Sequence, residues 1–84
     1  MVTQANKETY WTIVRDCLVR FHGFSNTDAS QQVASLRPRI EATLSSDIYY
    51  HNEPFVVACN IAGKDLDIND FDAVYEEMLD KYSY

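Results

Sequence analysis

Apolar side chains recur every three or four residues near the start of the chain, which places them on one face of a helix. These residues are Tyr10, Ile13, Val14, Cys17, Leu18 and Phe21. The pattern predicts a helix from about Asn6, a capping residue, to Phe21. Gly23 follows, and glycine readily takes the left-handed conformation that ends a helix.

A second stripe of the same spacing lies near the end of the chain. It consists of Phe71, Val74, Tyr75, Met78, Leu79 and Tyr82. It predicts a last helix over about 70–82, with Asn69 as the cap.

A third stripe runs between these two and contains a proline. Its apolar residues are Val33, Leu36, Ile40 and Leu44, and Asn26 or Thr27 can cap its start. Pro38 lacks a backbone donor and clashes with the preceding turn, which costs about 3 kcal/mol inside a helix. The second helix therefore either kinks at Pro38 or restarts there, with the proline in a new first turn.

Residues 55–62 are apolar nearly all round, which suits either a short buried helix or a buried strand. Pro54 precedes this segment and Gly63 follows it. Proline first and glycine last is the order typical of a helix, with Asn52 as the expected cap.

Turn-forming residues are scarce, since the 84 residues include only two glycines and two prolines. That scarcity argues against a fold of many strands. The chain is expected to be all-α: a single helical domain over 1–84, a compact bundle of four helices. The third helix is expected to be short and the second kinked or broken.

The net charge of −6 is unevenly placed along the chain. Residues 1–45 hold five bases and four acids, whereas residues 46–84 hold two bases and nine acids. Without a basic stripe to displace counterions from phosphates, nucleic-acid binding is not expected. An acidic face would instead attract a basic protein.

The compartment expected from the sequence is the cytoplasm. No apolar run approaches the roughly 20 residues that span a bilayer, and the first residues are polar, unlike a signal peptide. No membrane association is therefore expected. Cys17 and Cys59 fall on apolar stripes, as buried thiols do in a reducing compartment.

No motif for catalysis or for a cofactor is present, so neither enzymatic activity nor a cofactor is expected. The spacing of Asp65, Asp67, Asn69 and Glu76 matches the ligands of a calcium loop. Asp70 stands where such a loop needs glycine, and a helix beginning there would disrupt it. Calcium binding is therefore not expected.

The candidate binding segment is residues 47–53, which combine acids with two adjacent tyrosines. Neighbouring side chains point in different directions, so at least one ring is expected to face outward, between carboxylates. The partner-binding candidates here are Asp47, Tyr49, Tyr50 and Glu53. An alternative is a metal site formed by His51, Glu53 and Asp47.

The run Ser46-Asp47-Ile48-Tyr49-Tyr50 resembles the signature of the small immunity proteins that neutralise colicin-type nuclease bacteriocins. That family has two residues between the aspartate and the tyrosines and a proline directly after them. Here one residue intervenes, and Pro54 comes later. The resemblance implies that Asp47, Tyr49 and Tyr50 are the shared anchor. It implies that exposed residues of the second helix set partner choice: Asp28, Gln31, Gln32 and Glu41.

The expected function is a non-enzymatic protein-binding module, such as an immunity protein or inhibitor of a basic toxin. The alternative is a homo-oligomeric structural or regulatory domain. In that case, a homodimer for example, the tyrosine segment and residues 55–62 would be buried against another copy.

Overall fold

The computed structural model describes residues 4–42 and 52–82, with side-chain surroundings from residue 7 onward. Its α-helices are α1 (Gln4–His22), α2 (Asn26–Glu41), α3 (Pro54–Ala62) and α4 (Asp72–Lys81). A single 3₁₀ turn, Ile68–Asp70, precedes α4. No strand occurs in these two ranges. The predicted all-α bundle with a short third helix is confirmed.

Helix α1 is the centre of the packing and contacts both α2 and α3. It buries the predicted stripe from Tyr10 to Leu18, and Trp11 as well, which is only 2% exposed. The Trp11 ring packs edge-on against Tyr10, with 5.4 Å between centroids. Trp11 is therefore a core residue and does not form a contact surface.

The segment after Pro54 is a helix, as the proline before it and the glycine after it predicted. Gly63 ends α3 with a φ of 68°, in the left-handed region. The Gly63 and Lys64 amides then donate to the Asn60 and Cys59 carbonyls. The predicted cap is wrong, however, because Glu53 and not Asn52 is the N-cap residue. The Glu53 side chain makes no capping hydrogen bond to the helix.

Helix α2 begins one residue earlier than predicted. Ser25 is its N-cap, and its hydroxyl accepts from the Asp28 amide at 3.0 Å. The helix continues through Pro38 to Glu41. A break at the proline is therefore excluded, and a kink is the alternative that remains. Only one further turn follows Pro38. The Pro38 carbonyl still accepts from the Ala42 amide at 3.1 Å.

The packing of α2 is lighter than that of α1. Its only fully buried residue is Ala29, while Val33, Leu36 and Ile40 are half-buried. Arg37 binds both oxygens of the Glu8 carboxylate on α1, at 2.9 and 2.6 Å. This two-pronged contact fixes one helix against the other.

The last helix starts later than its apolar stripe suggested. The Asp67 carboxylate, and not Asn69, accepts a capping bond: the Asn69 amide donates to it at 2.9 Å. The chain forms the 3₁₀ turn there and enters α4 at Asp72. Val74, assigned to the inner face from its spacing, is 37% exposed.

Both cysteines are buried free thiols, as predicted. The Cys17 sulfur lies 3.8 Å from the Met78 sulfur in the core. Burial, with a smaller contribution from Asp16, raises the pKa of the Cys17 thiol to about 12. A thiol held protonated in this way is a core side chain and not a nucleophile.

Candidate functional site

The centre of the predicted binding segment, Asp47, Tyr49 and Tyr50, lies outside the described residues, as does His51. Its end, Asn52–Glu53, is described. The metal alternative includes Asp47 and His51 and so also falls outside. The site can be built from the segment's attachment to the core and from the surfaces on either side.

Glu53 is exposed, but its carboxylate is held in place. The Tyr75 hydroxyl donates to Glu53 Oε2 at 2.9 Å and accepts from the Phe55 amide at 3.4 Å. Tyr75, on α4, thus accepts from one of the free amides at the start of α3. The Glu53 side chain does not cap these amides. Burial first, and then the bond to Glu53, raises the pKa of Tyr75 well above its usual range.

Asn52, the residue before Glu53, is held by a contact from α1. The hydroxyl of Tyr10, on α1, donates to the Asn52 carbonyl at 3.0 Å. Two core tyrosines from different helices therefore hold the point where the segment meets α3. This attachment lowers the conformational entropy that a partner would otherwise have to remove on binding.

The α2 candidates do not form one surface. Asp28, Gln31 and Gln32 are exposed and lie one turn apart or closer. Glu41 is nine residues after Gln32, about two and a half turns, so it lies on the opposite side of the helix. Its carboxylate accepts from Arg37 Nε at 3.0 Å. Glu41 therefore belongs with the Arg37–Glu8 contact.

A series of exposed carboxylates lies along residues 65–80, outside the predicted binding segment. We call it the acidic surface: Asp65, Asp67, Asp70, Asp72, Glu76, Glu77 and Asp80, all of them exposed. Within the described ranges none of these carboxylates lies within ion-pair distance of a base. The signal was available, because residues 46–84 carry most of the acid. The charge imbalance indicates this surface, whereas the tyrosine pair indicates residues 47–53.

Part of the acidic surface lies on the outer side of α4. Asp80 lies four residues after Glu76 and three after Glu77, so it neighbours both on the helix side opposite the buried Tyr75 and Met78. Like charges this close repel one another across the helix surface. A basic partner would relieve that repulsion, and the attraction would be strongest at low salt.

His22, at the end of α1, has an environment that disfavours its charged form. Its Nε2 is buried and has no hydrogen-bond partner in the described part of the chain. Burial first, and then the nearby positive charge of Lys64, lowers the pKa of His22 below its usual 6.5. The neutral form is therefore favoured.

This environment predicts a loss of stability on acidification. Because the folded-state pKa is below the unfolded one, the unfolded state binds the proton more readily, and stability falls as pH drops below about 6.5. We expect His22→Gln to reduce the fall in unfolding free energy between about pH 7 and about pH 5. Urea unfolding of both proteins across that range measures the difference. Equal pH profiles, or an NMR titration of His22 above its usual pKa, would contradict the prediction.

No metal site is formed by the residues that the structure describes. Across 4–42 and 52–82, no three His, Cys, Asp or Glu side chains come together as metal ligands. Asp67, one of the residues at calcium-loop spacing, uses its carboxylate to accept from the Asn69 amide. None of the described helices is long and apolar enough to cross a membrane.

Comparisons with known proteins return no match: no family model, no curated protein and no solved structure is similar to this chain.

Proposed function

We propose that this chain is a non-enzymatic module that binds a basic protein, as an inhibitor or immunity protein binds a toxin. The observation that carries the proposal is the acidic surface, with its exposed carboxylates and no ion pairs among the described residues. Complementary charge speeds encounter and disfavours partners of the same charge. In this proposal the protein acts in the cytoplasm.

In this proposal the segment 47–53 provides the tight contact. Tyr49 and Tyr50 supply rigid aromatic area, and Asp47 and Glu53 supply charge. Its support is the anchoring of the segment's end, where Tyr75 holds Glu53 and Tyr10 holds the Asn52 carbonyl. Asp28, Gln31 and Gln32, exposed on α2, would adjust partner choice, as the resemblance to immunity proteins implies.

The test is co-expression with the products of the genes adjacent to its own. We expect one neighbouring product to be toxic alone and harmless in the presence of this chain. The two should purify as a complex whose association rate falls as salt is added, because added ions screen the steering charges.

A matched pair of variants separates steering from contact. Glu76→Gln with Glu77→Gln removes charge from the acidic surface and is expected to slow association. Glu76→Asp with Glu77→Asp keeps the charge at the same positions and is expected to leave the association rate unchanged. Failure of the chain to neutralise any neighbouring product, together with a firm homodimer in light scattering at micromolar concentration, would contradict the proposal.

The alternative from the sequence is a homo-oligomeric structural or regulatory domain. The exposure of Val56, at 46%, is the observation that favours it. The unpaired carboxylates weigh against it, because a symmetric contact involving the acidic surface would bring like charges together. The light-scattering measurement above decides between the two.

A further inference from the structure

An apolar groove lies between α3 and residues 65–68. Val56, Leu66 and Ile68 line it, and Phe55 and Cys59 lie at its base. Its volume is about 330 Å³. That is near the lower limit for ligand pockets, about 300–1,000 Å³, so it suits one or two side chains rather than a large cofactor.

Val56 is far more exposed than the residues on either side of it in α3. Its neighbours Phe55 and Val57 are 2% and 1% exposed, whereas Val56 is 46% exposed. Single exposed apolar residues are ordinary, but this one adjoins the half-buried Leu66 and Ile68. The three together make a concave apolar surface, the kind of feature that an anchoring side chain fills in protein–protein contacts.

Charge at the edge of the groove indicates what fills it. Asp65 and Asp67 line the same groove, and both are exposed. Neither carboxylate has a basic partner within ion-pair distance in the described ranges. An apolar centre with a charged rim is the usual arrangement of a protein-binding site. A complementary segment carries an apolar side chain between lysines or arginines.

We propose that this groove is an anchor site for a basic protein segment, in which one bulky apolar side chain packs against Val56 and flanking cations pair with Asp65 and Asp67. The inference rests on the proposed function, because it takes the occupant to be part of the basic partner. It adds a second contact, on α3 and residues 65–68, to the one at 47–53. Segments that lack an apolar residue between their cations are poor occupants.

A second copy of the chain fits the groove less well. In a symmetric dimer the same surface meets itself, so Asp65 and Asp67 would face the same two carboxylates of the other copy. Like charges placed opposite one another oppose association. A basic segment removes this repulsion, and the groove is therefore assigned to a different protein.

The test uses two synthetic peptides of equal length and charge. In one, lysines flank leucine and phenylalanine; in the other, serines replace the apolar residues. Binding is followed by NMR of the ¹⁵N-labelled protein. We expect the apolar peptide to shift the amides of residues 55–59 and 65–68. The serine peptide is expected to bind at least about tenfold more weakly, because it has no large apolar side chain to bury in the groove.

Two valines give a matched pair of variants. Val56→Glu is expected to weaken the apolar peptide at least about tenfold, because the apolar contact is lost and the new carboxylate would have to lose water where the anchoring side chain packs. Val74→Glu, at an exposed valine of α4 that does not line the groove, is expected to leave affinity unchanged. Thermal unfolding checks that both variants fold. If Val56→Glu does not fold, Val56→Ala replaces it in the binding measurement.

Several outcomes would overturn the groove assignment. One is that the two glutamate variants weaken binding of the apolar peptide equally, or that the two peptides bind equally well. Another is that the amide shifts are confined to residues outside 55–59 and 65–68, or that the apolar peptide does not bind at millimolar concentration. Dimerisation that Val56→Glu abolishes would assign the groove to a second copy instead. If Val56→Glu neutralises the toxic partner as well as the original chain does, the groove assignment fails and the proposed function stands.

Discussion

Replacement of Phe55 by alanine is expected to lower the free energy of unfolding by about 3–5 kcal/mol, the usual cost of deleting a buried aromatic ring. Phe55 is 2% exposed. Its ring centroid lies 5.3 Å from that of Phe21 and 5.5 Å from that of Tyr75. Phe71 completes the cluster, at 6.2 Å. The deletion removes one ring from contacts with α1, α4 and the turn that precedes α4, so neighbouring side chains cannot easily fill the space.

Such a loss is a large share of the roughly 5–15 kcal/mol that stabilises a small domain. Urea unfolding followed by circular dichroism measures it. The control is Val56→Ala at the next position, where 46% exposure predicts a change within about 0.5 kcal/mol. A loss below about 1 kcal/mol for Phe55→Ala would mean that α3 is not packed as described.

Tyr49→Ala and Tyr50→Ala are expected to weaken binding of the toxic partner by about 2 kcal/mol or more, roughly 30-fold, without loss of fold stability. The reason is that, in the proposed site, each tyrosine contributes rigid contact area that alanine would remove. Titration calorimetry with the partner measures the affinity, and thermal unfolding measures the stability of each variant.

Tyr49→Phe and Tyr50→Phe are the controls, because they keep the ring and remove only the hydroxyl. Each is expected to retain most of the affinity. Normal partner binding by both alanine variants, combined with a much lower melting temperature, would identify the tyrosines as core residues. The site assignment at 47–53 would then be wrong, while the acidic surface would still support binding of a basic protein.

The sequence located the helices well where apolar spacing was strong. The stripe from Tyr10 to Leu18 is buried as predicted, because residues three and four apart share a face in any helix. Gly63 ends α3 as expected, since few residues other than glycine tolerate the left-handed backbone found there. These features depend on local geometry alone.

Helix starts were less well predicted. Several polar residues near each start have side chains able to accept from a free amide, and the sequence does not rank them. Ser25 caps α2 next to the expected Asn26, and Asp67 caps the 3₁₀ turn in place of Asn69. At α3 the hydroxyl that meets a first-turn amide comes from Tyr75, on another helix. Spacing within one segment contains no information about such a partner.

The acidic surface was predictable as an imbalance of charge but not as a site. Charge counts show that residues 46–84 are acidic; they do not show that the carboxylates lack ion pairs. Arg37 illustrates the difference. It binds Glu8, 29 residues away in the sequence, together with Glu41, and no charge count indicates that pairing. The remaining bases leave the carboxylates of residues 65–80 without ion pairs among the described residues.

By itself, then, the sequence determined the helical class, the buried face of α1 and the ends marked by proline and glycine, because each depends on the geometry of adjacent turns. Only the tertiary structure decided that Tyr75 and Tyr10 anchor Asn52–Glu53, and that Val56 lines a groove with Leu66 and Ile68. Those contacts join residues far apart in the chain. Their existence depends on how the helices pack, which no local spacing determines.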